Sequence, residues 1–159
     1  ALDITIRREP IDLAALINEV VEANQPLAAR KEQSISVSAP PLQQTHCDID
    51  RVREAIDNLL SNAIKYSPLG GRIEVSAERQ GDKTLIRVRD HGAGLSPEDI
   101  SRLFGRFQRL SAKPTAGESS TGLGLSIVKR IAELHGGSIA AESAGPGFGT
   151  TFTLTLPAT

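Results

Sequence analysis

The residues best placed to do chemistry lie in one short segment, Asp57-Asn58-Leu59-Leu60-Ser61-Asn62-Ala63-Ile64-Lys65-Tyr66. Val52, Ile56, Leu59 and Ala63 recur at helical spacing and form an apolar stripe. At about 100° per residue, Asn58, Asn62 and Lys65 fall within roughly 60° of arc beside that stripe. Two carboxamides and one ammonium therefore share the edge of a buried face. Such groups act through hydrogen bonds and charge, and a carboxamide takes up no proton at neutral pH. On this segment alone the strip reads as a solvated polar face. Glycine clusters further along the chain invite a nucleotide reading instead.

The common nucleotide motifs fail. A P-loop needs a Gly-Lys pair, and the 159 residues contain none. A dinucleotide fingerprint needs GxGxxG, but three residues after Gly94 stands Pro97, and three after Gly124 stands Ile127. There is no His-Arg-Asp catalytic loop and no GxSxG elbow. The three histidines and Cys47 are too scattered, His46-Cys47 apart, for a convincing zinc site.

The bulk numbers narrow the classes further. Hydrophobic residues at 39% and charged residues at 23% fit a globular chain, most simply one domain spanning 1–159. A net charge of -1 gives no basic field for nucleic acid or for direct contact with an anionic membrane. A single cysteine allows no intrachain disulfide and suggests a reducing, cytoplasmic location. No apolar run reaches the length of a membrane span, and no secretory signal pattern is present. The chain starts at Ala1 and opens directly on a strand-like run. We therefore expect a piece of a longer protein, whose remainder could include an inner-membrane anchor.

The elements that must position the strip follow from periodicity. Leu2, Ile4 and Ile6 alternate as in a strand, and Pro10 and Asp12 open a helix carrying Leu13, Leu16, Ile17, Val20 and Val21 on one face. Ile35, Val37 and Ala39 predict a second strand, stopped by Pro40-Pro41. Asp48 or Asp50 caps the asparagine-bearing helix, which Ser67-Pro68-Leu69-Gly70-Gly71 ends. Runs over 72–79 and 83–90 predict a hairpin turning at Gly81-Asp82. Ser96-Pro97-Glu98-Asp99 starts a short helix running through Phe104. Residues 105–121 lack apolar periodicity, and a loop of that length inside a domain is usually a functional lid or disordered. A helix with Ile127, Val128, Ile131 and Leu134 then ends at Gly136-Gly137, and a last hairpin turns through 145–149. These elements predict an α+β sandwich, an antiparallel-rich sheet covered on one face by about three helices.

The order of the remaining boxes is specific: an asparagine-rich helix, Asp90-x-Gly92-x-Gly94, Phe104-x-x-Phe107, Thr121-Gly122-Leu123-Gly124-Leu125, then Gly147-x-Gly149-Thr150-x-Phe152. Over essentially the whole chain this resembles the ATP-binding catalytic domain of bacterial sensor histidine kinases, in the superfamily that also holds DNA gyrase and mismatch-repair ATPases. The resemblance implies a Bergerat-type two-layer sandwich, a mixed five-stranded sheet under three helices, with a flexible ATP lid over about 105–121. We expect poor order around 113–120. It implies ATP and Mg2+ as cofactors. Asn62 matches the family's magnesium-ligating asparagine, and a carboxamide oxygen suits a hard cation shared with phosphates. Asn58 and Lys65 would face the phosphates, and Tyr66 would pack near the nucleotide. Asp90 would accept the adenine amino hydrogen bond, or else simply cap a turn. Gly92 and Gly94 would let backbone approach the base, and Thr150 matches the threonine that reaches adenine. Gly122 and Gly124 would open a helix whose unpaired amides and dipole hold phosphates, with Thr121, Leu123 and Leu125 completing the box. Phe104 and Phe107 would anchor the lid, or, for Phe104, serve as an ordinary core aromatic. Arg106 and Arg109 could approach the terminal phosphate or form a solvated face. Asn58, Lys65 and Arg106 are the candidates for acting on the transferred group.

One position separates activities within the superfamily. Gyrase-like ATPases carry a glutamate four residues before the magnesium asparagine; here that residue is Asn58, which cannot serve as base for water. Glu54 is a rival base that we expect to be out of reach. The family's acceptor histidine precedes a carboxylate, whereas His46, His91 and His135 precede Cys47, Gly92 and Gly136. The resemblance thus implies phosphoryl donation to a histidine on a separate dimerisation and phosphotransfer hairpin of the parent chain, for relay to a response-regulator receiver domain. The fragment itself is not expected to autophosphorylate. An anti-sigma-factor-type serine/threonine kinase and a non-catalytic docking module are the alternatives.

Overall fold

Two alternating runs make the centre of the sheet. In β4 (Arg72–Gln80), Ile73, Val75 and Ala77 are buried, while Glu74, Ser76 and Glu78 on the opposite face are only partly covered. β5 (Lys83–Asp90) repeats the pattern and pairs antiparallel with β4, Val75 opposite Val88. This is the predicted hairpin, with its turn at Gly81 in the left-handed region. The computed structural model describes residues 5–41, 44–104 and 123–159. The sheet order is β2 (Ser34–Ser38), β4, β5, β7 (Thr150–Pro157), β6 (Ser138–Glu142); only β2–β4 is parallel. The mixed, mostly antiparallel five-stranded sheet is as expected.

Helices α1 (Leu13–Arg30), α2 (Ile49–Tyr66) and α4 (Leu123–Leu134) cover the buried face, and α3 (Pro97–Arg102) is a short fourth helix. One core joins Ile17 and Val20 of α1, Ile56, Leu59 and Leu60 of α2, and Val128 and Ile131 of α4 to Ile73, Ile86 and Leu154 of the sheet. The stripe of Val52, Ile56, Leu59 and Ala63 is buried throughout, so α2 has one orientation open to it and its polar strip must run along the rim of the core.

Two local expectations need correction. Of the alternating residues Leu2, Ile4 and Ile6, only Ile6 is described, and residues 5–8 form no strand. The strand here is β1 (Glu9–Ile11), because its partner, the unforeseen β3 (Thr45–Cys47), lies opposite those residues. Pro10 therefore sits in a strand, and Asp12 alone caps α1 by accepting from Ala15 N–H at 3.1 Å. The short helix also stops at Arg102 rather than Phe104, though its start is as predicted, with a reciprocal Ser96–Asp99 capping box and Pro97 in the first turn.

Asp48, not Asp50, caps α2. Its Oδ1 accepts from Asp50 and Arg51 N–H, each at 3.1 Å, and Oδ2 accepts from Arg7 N–H at 2.8 Å. Burial pushes the carboxyl up, but the N–H bonds from Arg7, Arg51 and Asp50 outweigh it and hold Asp48 below its ordinary value. A carboxylate lowered in this way stabilises the fold fully above the ordinary aspartate range and loses that contribution as pH falls through its own lowered value. Asp48→Ala should cost about 1–2 kcal/mol near neutrality. The gap to wild type should close as acid protonates Asp48, which urea unfolding at a series of pH values would follow.

His135, just past α4, is almost fully buried. Its Nε2 accepts Asp48 N–H at 3.0 Å, and Nδ1 lies 2.8 Å from the Ile131 carbonyl, so the neutral Nδ1–H tautomer satisfies both contacts. The imidazole thereby ties the start of α2 to the end of α4.

Candidate functional site

A cleft opens where the last turns of α2, the end of β5, the start of β7 and the first turn of α4 meet. From α2 it takes Asn62 and Tyr66, one turn apart; from β5 and its following loop, Asp90, Ala93, Gly94 and Leu95. Leu125 of α4 and Thr150 and Phe152 of β7 complete the lining. Asn62, Tyr66, Asp90, Gly94, Leu125 and Thr150 were all singled out from sequence, and the fold brings them together. Ala93, Leu95 and Phe152 were missed as lining residues. The signal existed for Phe152, since a strand with Thr150 facing inward also turns residue 152 inward.

Asp90 is the chemical centre of the cleft. It is 5% exposed, and Oδ1 accepts from Gly92 N–H at 2.9 Å and Thr150 N–H at 3.3 Å. Among the described residues both of its hydrogen bonds fall on Oδ1. Burial pushes the carboxyl above its ordinary value, and the two N–H donors offset this only in part. It is also the only acid lining the cleft among the described residues.

The glycines around Asp90 are demanded by protein backbone. A Cβ on Gly92 would stand 2.3 Å from the Tyr66 carbonyl oxygen, and one on Gly94, where φ is +75°, would stand 2.2 Å from the Gly145 carbonyl oxygen. Gly149 N–H donates to the Gly92 carbonyl at 3.1 Å, so the loop is laced to the β6–β7 turn. The Asp-x-Gly-x-Gly box therefore packs the loop between the end of α2 and that turn, whatever it does for a ligand.

Asn58 and Lys65 are half-buried on α2 beside Asn62 but do not line the cleft. Glu54 is ion-paired with Arg51 Nη1 at 2.7 Å and lines the groove between α1 and α2. Asp57 likewise faces α1, accepting from Asn24 Nδ2 at 2.8 Å. Glu54, one turn before Asn58 on the same face of α2, and Asp57 are thus each engaged by a neighbouring side chain, and neither lines the cleft. Phe104 packs edge-to-face on Phe152, centroids 6.4 Å apart, so a cleft-lining ring rests on the residue that ends the described chain before 105. Arg106, Phe107, Arg109, Thr121, Gly122 and the lid at 105–121 lie outside the described residues. Leu123 and Gly124 open α4.

His91 turns to the helix-free face of the sheet, where Nε2 meets Glu74 Oε1 at 3.1 Å. That hydrogen bond is the main reason Glu74 lies below its ordinary carboxyl value, burial opposing it. Cys47 is fully buried, which, with the Asp48 charge beside it, pushes its thiol up to about 12 and leaves it unreactive at neutral pH.

Residues 47–159 match the family model of histidine kinase-, DNA gyrase B-, and HSP90-like ATPases. The chain belongs to that family, whose name implies a domain that binds ATP. It is 38% identical over 149 residues to the sensor-like histidine kinase SenX3 of Mycolicibacterium smegmatis, a match covering 94% of this chain and 38% of the relative. The chain thus spans about two-fifths of the length of that relative. Among solved structures, the mycobacterial sensor histidine kinase MprB superposes with a TM-score of 0.82 at 30% identity, over 94% of this chain and 97% of that one. ShkA, crystallised full-length in complex with AMPPNP, superposes with a TM-score of 0.86 at 27% identity, over 99% of this chain and 32% of that one.

No helix among the described residues is long and apolar enough to cross a membrane.

Proposed function

We propose that this chain is a single catalytic domain that binds Mg-ATP in the cleft and donates its γ-phosphoryl group to a histidine on a separate dimerising hairpin, for relay to the receiver domain of a response regulator. The observation that carries the reading is Asp90, a buried carboxylate whose hydrogen bonds among the described residues both fall on Oδ1, so that Oδ2 can accept from a ligand's donor. An adenine amino group is such a donor, and Tyr66, Leu95, Leu125 and Phe152 give the apolar walls that a planar base requires. ShkA, with AMPPNP, supplies a nucleotide-bound relative of the same fold.

The cleft also fits magnesium held in the ordinary way for a nucleotide. Among the described residues no three His, Cys, Asp or Glu side chains converge as a metal site. Asn62 would contribute one carboxamide oxygen, with phosphate and water oxygens completing the shell. When bound, the ion supplies charge neutralisation on the phosphates. Asn58 and Lys65 hold the same strip toward the phosphate end. Arg106 and the Thr121–Leu125 box would complete it from the lid side.

Donation to an imidazole is favoured over hydrolysis because the described residues that line the cleft offer no free base for water. Asn58 cannot accept a proton, Glu54 is ion-paired with Arg51 and Asp57 is bonded to Asn24, neither of them lining the cleft, and Asp90 would be occupied by the adenine amino group. Phosphoryl transfer depends mainly on positioning and charge stabilisation, so a docked histidine suffices as nucleophile. A calorimetric titration with ATP, repeated with excess EDTA, tests the binding step. Saturable binding at one site per chain, weakened when magnesium is chelated, is expected; no binding under either condition would leave only a docking module.

A further inference from the structure

The C-terminal end of α2 lacks the usual means of closing a helix. No glycine follows in the left-handed conformation; the cap is Ser67 in extended backbone, and Pro68 comes next. The last four carbonyls of a helix have no partner within it. Here the Ala63 carbonyl takes Ser67 N–H at 3.0 Å. The next two are met from a distant part of the chain: Lys31 Nζ donates to the Ile64 carbonyl at 2.7 Å and to the Lys65 carbonyl at 3.0 Å. Gln33 Nε2 donates to Ile64, Ser67 and Pro68 carbonyls at 3.1, 3.1 and 3.3 Å. The fourth carbonyl, of Tyr66, packs against Gly92.

Lys31 is only 4% exposed, an uncommon place for an ammonium. The burial makes sense at this spot, because its charge meets the negative end of the α2 dipole and its donors meet carbonyls of the last helical turn. The bond is reciprocal through the turn, since Gly70 N–H donates to the Lys31 carbonyl at 2.8 Å.

We infer that Lys31, which lines no part of the cleft, is a positioning residue for the nucleotide. It fixes the final turn of α2, and that turn carries Asn62 and Tyr66 into the cleft while presenting the Tyr66 carbonyl as the surface on which Gly92 sits. Gly92 in turn donates to Asp90 Oδ1. The ammonium thus holds the two sides of the cleft, Asn62 and Tyr66 on the helix and Asp90 on the sheet, in one mutual register. This role rests on the nucleotide reading of the site.

The test is a calorimetric titration of the 159-residue chain and of Lys31→Met and Lys31→Arg with Mg-ATP. Methionine keeps the apolar stem and removes the charge and donors. Losing hydrogen bonds from a charged group should weaken affinity about tenfold with stoichiometry still near one per chain. Arginine should recover most of the loss. Because Lys31→Met could prevent folding, Gln33→Met serves beside it, removing the neutral amide that makes three contacts to this helix end with the ammonium left in place. A weakening of about threefold at full stoichiometry is expected there. Unchanged affinity in the variants that fold, or reduced stoichiometry at unchanged affinity, would reduce Lys31 to a merely structural role and overturn the inference. Wild-type chain that binds no Mg-ATP would instead remove the nucleotide reading itself.

Discussion

Asp90→Asn is expected to weaken Mg-ATP binding about a hundredfold, the scale of a lost hydrogen bond to a charged acceptor, while leaving the ligand-free chain at least as stable as wild type. The two effects have one origin. Asp90 is buried, and burial raises its carboxyl above the ordinary value. A carboxyl raised in the fold favours the neutral form there, so holding the charge at neutral pH costs stability, and a neutral isostere removes that cost. Asparagine can still accept from Gly92 and Thr150 through its carbonyl oxygen, but it then turns an NH2 group toward the donor the carboxylate was meant to receive. Thermal melting and calorimetry on the same samples would check both halves. The raised carboxyl gives the same account a pH signature: wild-type affinity should begin to fall on acidification above the ordinary aspartate range, and Asp90→Asn should lack that inflection. Full affinity in the asparagine variant would remove Asp90 from the nucleotide site.

Much of this was legible from residue order. Period-two alternation located β4, β5 and β7 because each has one buried face, and the helical stripe of α2 located the strip that includes Asn62. Asp90 and Thr150, 60 residues apart, were readable as partners only through the family resemblance; nothing local in either residue points to the other. The small β1–β3 sheet escaped because three-residue strands show no period, and because Pro10 argued for a helix start until its cross-strand neighbour His46 was known. Lys31 escaped for a different reason. A lysine at a helix end reads as a solvated charge, and only the return of α2 and its carbonyls to the same place buries it. The glycines at 92 and 94 stood out as sites of close backbone approach to a base, whereas the groups that crowd them in the fold are the Tyr66 and Gly145 carbonyls.

The second large effect concerns where the phosphoryl group goes. By the family resemblance Asn58 stands where a base for water would be needed, and the two α2 carboxylates near it are engaged by Arg51 and Asn24. None of the chain's own histidines is a convincing acceptor. His135 is buried with both nitrogens engaged, His91 is held by Glu74 on the helix-free face, and His46 is followed by Cys47, not a carboxylate. ATP bound to this chain should therefore persist until an external histidine is presented. A rate difference of at least about a hundredfold between transfer and hydrolysis is expected, since positioned general-base catalysis contributes about 10²–10⁴.

The most direct measurement follows γ-labelled ATP and magnesium with the chain alone, and then with a separately produced dimerising hairpin carrying a Ser/Thr-His-Glu-type acceptor. The account predicts almost no released phosphate and no label on the chain in the first case, and acid-labile label on the hairpin in the second. Steady phosphate release by the chain alone, or label on His46, His91 or His135, would contradict it.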